Sequence, residues 1–383
     1  MRIAFYAPLK PPDHPVASGD RSMARLLMAA LARSGHEVGL ASRLRSYDGT
    51  GDPARQARLR RLGGRLAERW LRRVATGRVA RPDLWFTYHL YYKAPDWLGP
   101  PIAEGLGIPY VIAEASHAEK RHGGAWDLGH SAVAAALGRA GAVIGLNPAD
   151  EAAARTLLAA PERWHGLRPF LAAAPFAAAA AAPARGRSRT RLAAAHGLDL
   201  AQPWLVALAM MRPGDKLASY RLLAAALGDV ADLPWQLLVI GDGPARPAVE
   251  TAFAGLGRRI AWLGRLEGPP LAAALAAGDL CVWPAINEAY GMALIEAQAA
   301  GLPVLAGASG GVPDIVADGV SGRLTPPGDG AAFAAALAAL IAAPAERRRL
   351  GAAAARAARR HDISAAAQRL DAILSGVAAG APS

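Results

Sequence analysis

A chain of 383 residues, 53% of them apolar, can bury two ordinary cores, since single domains usually hold about 100–200 residues. Its one cysteine, Cys281, excludes an internal disulfide, and no uninterrupted apolar run reaches the bulk of a membrane span of about 18 residues; the longest, near Leu171 to Ala182, is almost all alanine and contains Pro175. The net charge of +12 rests on arginine, because only Lys10, Lys93, Lys120 and Lys216 are lysines, and with the abundant alanine this reads as a compositional bias, so charge alone is weak evidence for a polyanionic partner. The N-terminus "MRIAFYAPLKPP" lacks the order of a secretory signal, so a cytoplasmic location is expected.

Along the chain, β-type runs alternate with helical patterns, which predicts parallel sheets with crossover helices. The first half offers "RIAFYAPL", "EVGLAS", "DLWFTYHL", "PYVIAEAS" and "AVIGLN". After the first run, Met23, Leu26, Leu27, Ala30 and Leu31 form one apolar stripe, and Gly35 suits the position beyond the helix end. From Arg55 to Arg81 ten arginines meet one acid, Glu68, while Leu59, Leu62, Leu66, Trp70 and Val74 recur at steps of three and four. This outlines a basic amphipathic helix. It is expected either to dock on an anionic membrane surface, making the protein peripheral at the inner face, or to be a solvated arginine face.

Between Leu171 and Arg191 periodicity dissolves into alanines, prolines and "RGRSRTR", read as a connector. Strand-like runs resume with "WLVALAMM", "WQLLVIGDG", "IAWLGRL", "LCVWPA" and "PVLAG". The expected architecture is α/β: two Rossmann-like, doubly wound parallel-sheet domains facing across a cleft, with ligands at the carboxyl ends of the strands. Residues 1–180 are assigned to the first domain, on the acceptor side, and 181–358 to the second, on the donor side. Residues 359–383 carry a C-terminal helix near Ile363 to Leu374 that packs back on the first.

The chemistry concentrates in "NEAYGMALIEAQAAGLPVLAGASGGVPDIV". Gly291 opens a helical pattern, so Glu288 lies in the preceding loop and Glu296 about 7–8 Å along the axis. A helix N-terminus approached closely through glycine suits a phosphate. Flanking carboxylates repel phosphate but accept hydrogen bonds from hydroxyls, which suggests sugar, phosphates and ribose in a row. The alternative, two surface acids, is weakened by "SGGVPDIV" after the next strand, by the Arg-Pro-Gly-Asp-Lys loop after "WLVALAMM" and by "VIGDGP".

These four loops, over roughly Trp204 to Asp329, resemble the family-4 glycosyltransferases, the glycosyl transferases group 1 of GT-B fold. The resemblance implies a retaining, metal-independent enzyme that moves a sugar from a nucleotide-diphosphate donor, with no cofactor and no bound metal. The acceptor is a glycan, a lipid-linked or a small molecule. Carried over, Arg212 and Lys216 bind the diphosphate and stabilise the leaving group, Glu288 holds the donor sugar, and Glu296 the ribose. Backbone at Gly291, Met292 and Ala293 meets the phosphates, Gly241 and Gly243 belong to the "GDGP" donor loop, and Gly264 and Arg265 meet the base. Gly19 lets the other domain approach the phosphates, and His117 faces the donor sugar, with His14, His89 and His122 as rivals.

Other classes fit less well. "GDGPAR" lacks the third glycine of a dinucleotide-binding turn. Nucleic-acid binding through Arg55 to Arg81 lacks aromatic interleaving, so no nucleic-acid partner is expected. A catalytically silent GT-B scaffold would have no reason to keep Arg212, Lys216, Glu288 and Glu296 together.

Overall fold

The computed structural model describes residues 1–16, 18–288 and 290–380. The chain divides into two compact units, Met1–Arg168 with Ile363–Ser383, and Pro169–Asp362. Residues 381–383, the end of the expected C-terminal segment, lie outside the described residues.

The first unit holds β1 (Arg2–Tyr6), β2 (Glu37–Ser42), β3 (Leu84–Leu90), β4 (Tyr110–Ala115), β5 (Ala142–Gly145) and β6 (Trp164–Gly166). They form one parallel sheet in the order β2-β1-β3-β4-β5-β6, with Ile3 of β1 opposite both Val38 and Leu84. The second holds β7 (Trp204–Leu208), β8 (Gln236–Ile240), β9 (Ile260–Gly264), β10 (Leu280–Trp283), β11 (Val304–Gly307) and β12 (Gly322–Thr325), ordered β12-β11-β10-β7-β8-β9. The inner strands read as largely apolar runs because helices cover both sheet faces and nearly every side chain is buried, His89 and Glu114 near the strand ends excepted. Both sheets are the doubly wound parallel kind that the strand and helix alternation predicts.

In each sheet the first strand pairs on both sides, so the strand order reverses there: between β1 and β3 in the first unit, and between β7 and β10 in the second. Helices leave the sheet on opposite sides at such a point, and the loops after the two strands splay apart into a crevice.

The stretch Leu171 to Arg191, read as a connector, is not one. It forms the helices Ala174–Ala180 and Ala182–His196, which pack on helix Gly268–Ala277 inside the second unit. Alanine has the highest intrinsic helix propensity, and burial against a neighbour supplies what the missing large apolar residues do not. The chain instead crosses between units at 168–169 and returns at 362–363, where Leu171 N–H bonds the His361 carbonyl (2.9 Å) and Ala173 N–H bonds Asp362 Oδ2 (3.2 Å). The returning helix Ile363–Ala379 packs on helix Gly19–Arg33, with Arg33 Nε donating to Ser364 Oγ at 3.0 Å.

The basic segment is the helix Pro53–Ala75, capped by Asp52, whose carboxylate accepts from Ala54 and Arg55 N–H. Its apolar stripe is partly spent on the first unit's core: Leu66 and Trp70 pack there, Trp70 meeting Trp85 edge-on at 5.6 Å, and Gly63 is pressed against Trp97. The eight arginines of this helix are all exposed. Among the described residues no single helix is long and apolar enough to cross a membrane.

The loop after β3 is anchored by buried Asp96, which accepts from Leu98 N–H (2.8 Å), Gly99 N–H (2.7 Å), Thr87 Oγ1 (2.5 Å) and the Tyr110 hydroxyl (3.1 Å). Removing the carboxylate strands several buried donors, each worth about 1–3 kcal/mol. Asp96→Ala is therefore expected to lower stability by roughly 3 kcal/mol or more in urea titration; a loss within noise would show that this network does not hold the loop.

Candidate functional site

In the second unit the reversal between β7 and β10 brings two loops side by side. The β7 loop runs through Ala209–Gly214 into helix Asp215–Asp229, with Gly214 at φ +81° as its cap. Lys216, in the first turn, reaches the loop after β10 and forms an ion pair with Glu288. Glu288 also accepts from Trp283 Nε1 at 3.1 Å, and the Lys216 ammonium lies 5.3 Å from the Trp283 ring centroid. Both charged side chains are largely withdrawn from water, 29% and 13% exposed. Two further bonds lock the loops: Asn287 Nδ2 to Asp215 Oδ2 (3.1 Å) and Ile286 N–H to Ser219 Oγ (3.0 Å). Arg212 is exposed, and among the described residues its guanidinium has neither a hydrogen bond nor an ion pair.

Gly241 and Gly243 are required by backbone crowding. At φ +148° and +153°, a Cβ on either would lie 1.9 Å from the Ala209 carbonyl oxygen or 2.4 Å from that of Met211. Their loop is laced to the β7 loop by Met211 N–H to the Asp242 carbonyl (3.0 Å) and Ala245 N–H to the Met211 carbonyl (2.9 Å), and to β9 by Gly241 N–H to the Gly264 carbonyl (2.8 Å). These glycines thus set the position of the loop bearing Arg212. Gly264, at φ +65°, ends β9 in open space, and the adjacent Arg265 is exposed and paired with Glu267.

Gly291, at φ +72°, caps helix Met292–Ala299, so the N–H groups of Met292 and Ala293 stand in the first turn. Glu296 lies one turn further, half-buried, and its carboxylate has no hydrogen-bond or ion-pair partner among the described residues. Burial pushes its pKa up to about 7. Glu288 and Glu296 thus differ: the first is held in place by Lys216 and Trp283, the second has donors still to find.

Gly19 and His117 belong to the first unit. Gly19 is the first residue of helix Gly19–Arg33, behind the Ser18 cap, and nothing stands within 4 Å of where its Cβ would be. His117 follows β4; its Nε2 is buried without a partner among the described residues, and burial, then the neighbouring His130, lowers its pKa. Beside the first unit's reversal point is a group that sequence reasoning missed or gave only as a rival. His89 Nδ1 lies 3.0 Å from Asp20 Oδ1, and Glu114 is nearby. Burial lowers the His89 pKa, but the bond to Asp20 and the charges of Glu114 and Asp20 outweigh it and leave it raised; burial raises that of Glu114.

The non-glycine residues with positive φ among the described residues are His89 (62°), Glu114 (60°), Ala285 (56°) and Asn287 (49°), all at or just beyond the carboxyl ends of β3, β4 and β10. Such conformations cost on the order of 1–3 kcal/mol each and cluster at working sites. No motif in the sequence announces them; for His89 and Glu114 the only signal is a titratable residue next to last in a parallel strand.

Residues 202–343 match the family described as glycosyl transferases group 1. Over 97 residues the chain is 39% identical to the sulfoquinovosyl transferase SQD2 of Arabidopsis thaliana, covering 24% of this chain and 19% of that protein. Over 177 residues it is 32% identical to the D-inositol 3-phosphate glycosyltransferase of Mycobacterium avium, covering 39% and 42%. These alignments span less than half the length of either relative. Among solved structures, Anabaena HepE in complex with UDP superposes with a TM-score of 0.71 at 18% identity, over 98% of this chain and 100% of that one. The fold is therefore the GT-B kind, and within its second unit residues 202–343 are similar to the glycosyl transferases group 1 family.

A raised carboxyl pKa penalises the ionised form in the folded protein. The penalty is absent where the acid is protonated both folded and unfolded, and it grows as pH rises from the ordinary carboxylate range to about 7. Glu296→Gln should thus raise the melting temperature of the ligand-free protein at about pH 8 and leave it little changed near pH 4. An equal shift at both pH values would remove the buried carboxylate as its cause.

Proposed function

We propose that the protein is a retaining glycosyltransferase that moves a sugar from a nucleoside-diphosphate donor to a glycan, lipid-linked or small-molecule acceptor. The observation that carries this reading is Glu296, half-buried and without a side-chain partner among the described residues, one turn into a glycine-capped helix whose preceding loop carries Glu288 and its ion pair with Lys216. A carboxylate in that position needs hydroxyl donors, and a helix start needs an anion; ribose and diphosphate in sequence supply both.

In this reading the N–H groups at Met292 and Ala293 and the charges of Arg212 and Lys216 receive the diphosphate. Negative charge grows on the leaving phosphate as the anomeric C–O bond breaks, and cations fixed there lower the barrier more than they tighten ground-state binding. Glu288, oriented by Trp283, accepts from donor-sugar hydroxyls; Gly264 and Arg265 border the base; Gly19 and His117 keep the roles that the family resemblance implies. The acceptor oxygen attacks the face that the phosphate leaves, and a phosphate oxygen takes its proton, which retains configuration. Anabaena HepE has been solved in complex with UDP and with UDP-glucose, which makes a uridine donor the first to try. A silent scaffold is disfavoured, since half-buried charges with no ligand to meet only destabilise.

A thermal-shift panel of UDP-, GDP- and ADP-sugars should single out one nucleotide, with about 2.7 kcal/mol of stabilisation at a hundredfold excess over Kd. With that donor, Lys216→Ala and Glu288→Ala should each lower kcat by on the order of 100-fold or more while circular dichroism stays unchanged. Full turnover in either variant would take that residue out of the site.

The exposed arginine face of helix Pro53–Ala75, eight arginines against Glu68, supports docking on an anionic membrane. Co-sedimentation with vesicles containing anionic lipid should be strong at low salt and weaken as salt screens it. Equal recovery with neutral vesicles, or none with either, would leave a solvated helix.

A further inference from the structure

Away from the loops of the second unit, the first unit gathers imidazoles between the segment after β4 and helix Asp127–Arg139. His130, in the first turn of that helix, is 4% exposed, and among the described residues neither of its ring nitrogens has a hydrogen-bond partner. A histidine serving only as core would not leave both nitrogens bare, because each unmet buried polar group costs about 1–3 kcal/mol. His117 faces it, rings 4.5 Å apart and tilted by 35°, with its own Nε2 buried and unmet. Glu119, which opens the short turn Glu119–Arg121, brings a carboxylate to the same point. One ligand atom from each of the three lies within 4.8 Å of the others.

We infer that His117, Glu119 and His130 form a binding site for a divalent cation of the zinc class. Two neutral imidazoles and one carboxylate are a donor set that zinc accepts with a further position open, whereas magnesium and calcium take oxygen ligands throughout. Ligand atoms about 2.0–2.1 Å from a tetrahedral zinc stand roughly 3.4 Å apart, so small side-chain rotations, for which the exposed Glu119 has the most room, close the set. A second trio, His122, Asp127 and His130, shares the buried ring. There Asp127 already accepts from Gly123 N–H at 2.7 Å, with His122 Nδ1 3.7 Å away, and His122 is well exposed, so the set with unmet nitrogens on both histidines takes the cation. A cation on His117 withdraws its imidazole from the donor-sugar role given above. That consequence rests on the proposed function; the metal site does not.

Tag-free protein, stripped with a chelator, is titrated with Co²⁺, read by its visible d–d absorption, and with Zn²⁺ in competition with a chromophoric chelator. One equivalent should bind. Glu119→Gln and His130→Gln should each weaken binding by about tenfold or more, a loss that even outer-shell partners produce, and His122→Gln should not. No d–d band, no effect of Glu119→Gln, or a loss confined to His122→Gln would overturn the assignment. Circular dichroism reports whether His130→Gln folds; if it does not, the exposed Glu119→Gln decides alone. Zn²⁺ should also inhibit turnover, reversibly on chelation and less so in Glu119→Gln. Binding without inhibition would leave the metal site standing and remove His117 from the sugar.

Discussion

An ammonium and a carboxylate held together, largely out of water, between the β7 and β10 loops are the contact on which the arrangement of those loops depends. The pairing exists because β7, first in the sequence of its sheet, has β8 on one side and β10 on the other. The loops on either side of such a reversal part instead of covering each other, and side chains from both can meet over the gap. Lys216 therefore approaches from one crossover and Glu288 from the next, and Trp283 beneath them gives the pair a direction through its indole N–H. A surface pair of the same groups would be worth little; here partial burial makes each partner need the other, or a ligand able to replace it.

Around that pair the backbone supplies position more than chemistry. Gly241 and Gly243 let one loop lie flat against the carbonyls of the next, Ala285 accepts a left-handed conformation that its side chain disfavours, and Asn287 accepts one that asparagine tolerates better than most residues. Rigid packing of this kind fixes charges in advance of a ligand, which is how a site avoids reorganising during reaction. Glu296 stands in the same framework, but with its hydrogen-bonding capacity still open.

Much of this was legible in the residues. The inner strands announced themselves as apolar runs, and the spacing of Glu288, Gly291 and Glu296 gave a loop, a helix start and a helix turn before any coordinates. Short edge strands were not legible: β6 is Trp164–Gly166 and β12 is Gly322–Thr325, too brief and too glycine-bearing for a period-two pattern. The alanine-rich segment misled because low side-chain bulk resembles a linker, although the same residues are the best helix formers. Neither the His89–Asp20 pair nor the His117–His130 contact could be read, since both join segments brought together only by the parallel sheet and its helices.

The division of the chain bears on how it is made. One unit, Pro169–Asp362, is continuous, while the other is assembled from both ends of the sequence. On a ribosome the continuous piece has all its strands in hand while its neighbour still lacks the segment that packs on helix Gly19–Arg33. Nascent chains consequently carry an uncovered apolar flank until helix Ile363–Ala379 has emerged, and it is there that a chaperone or a degradation enzyme would find an unfinished molecule.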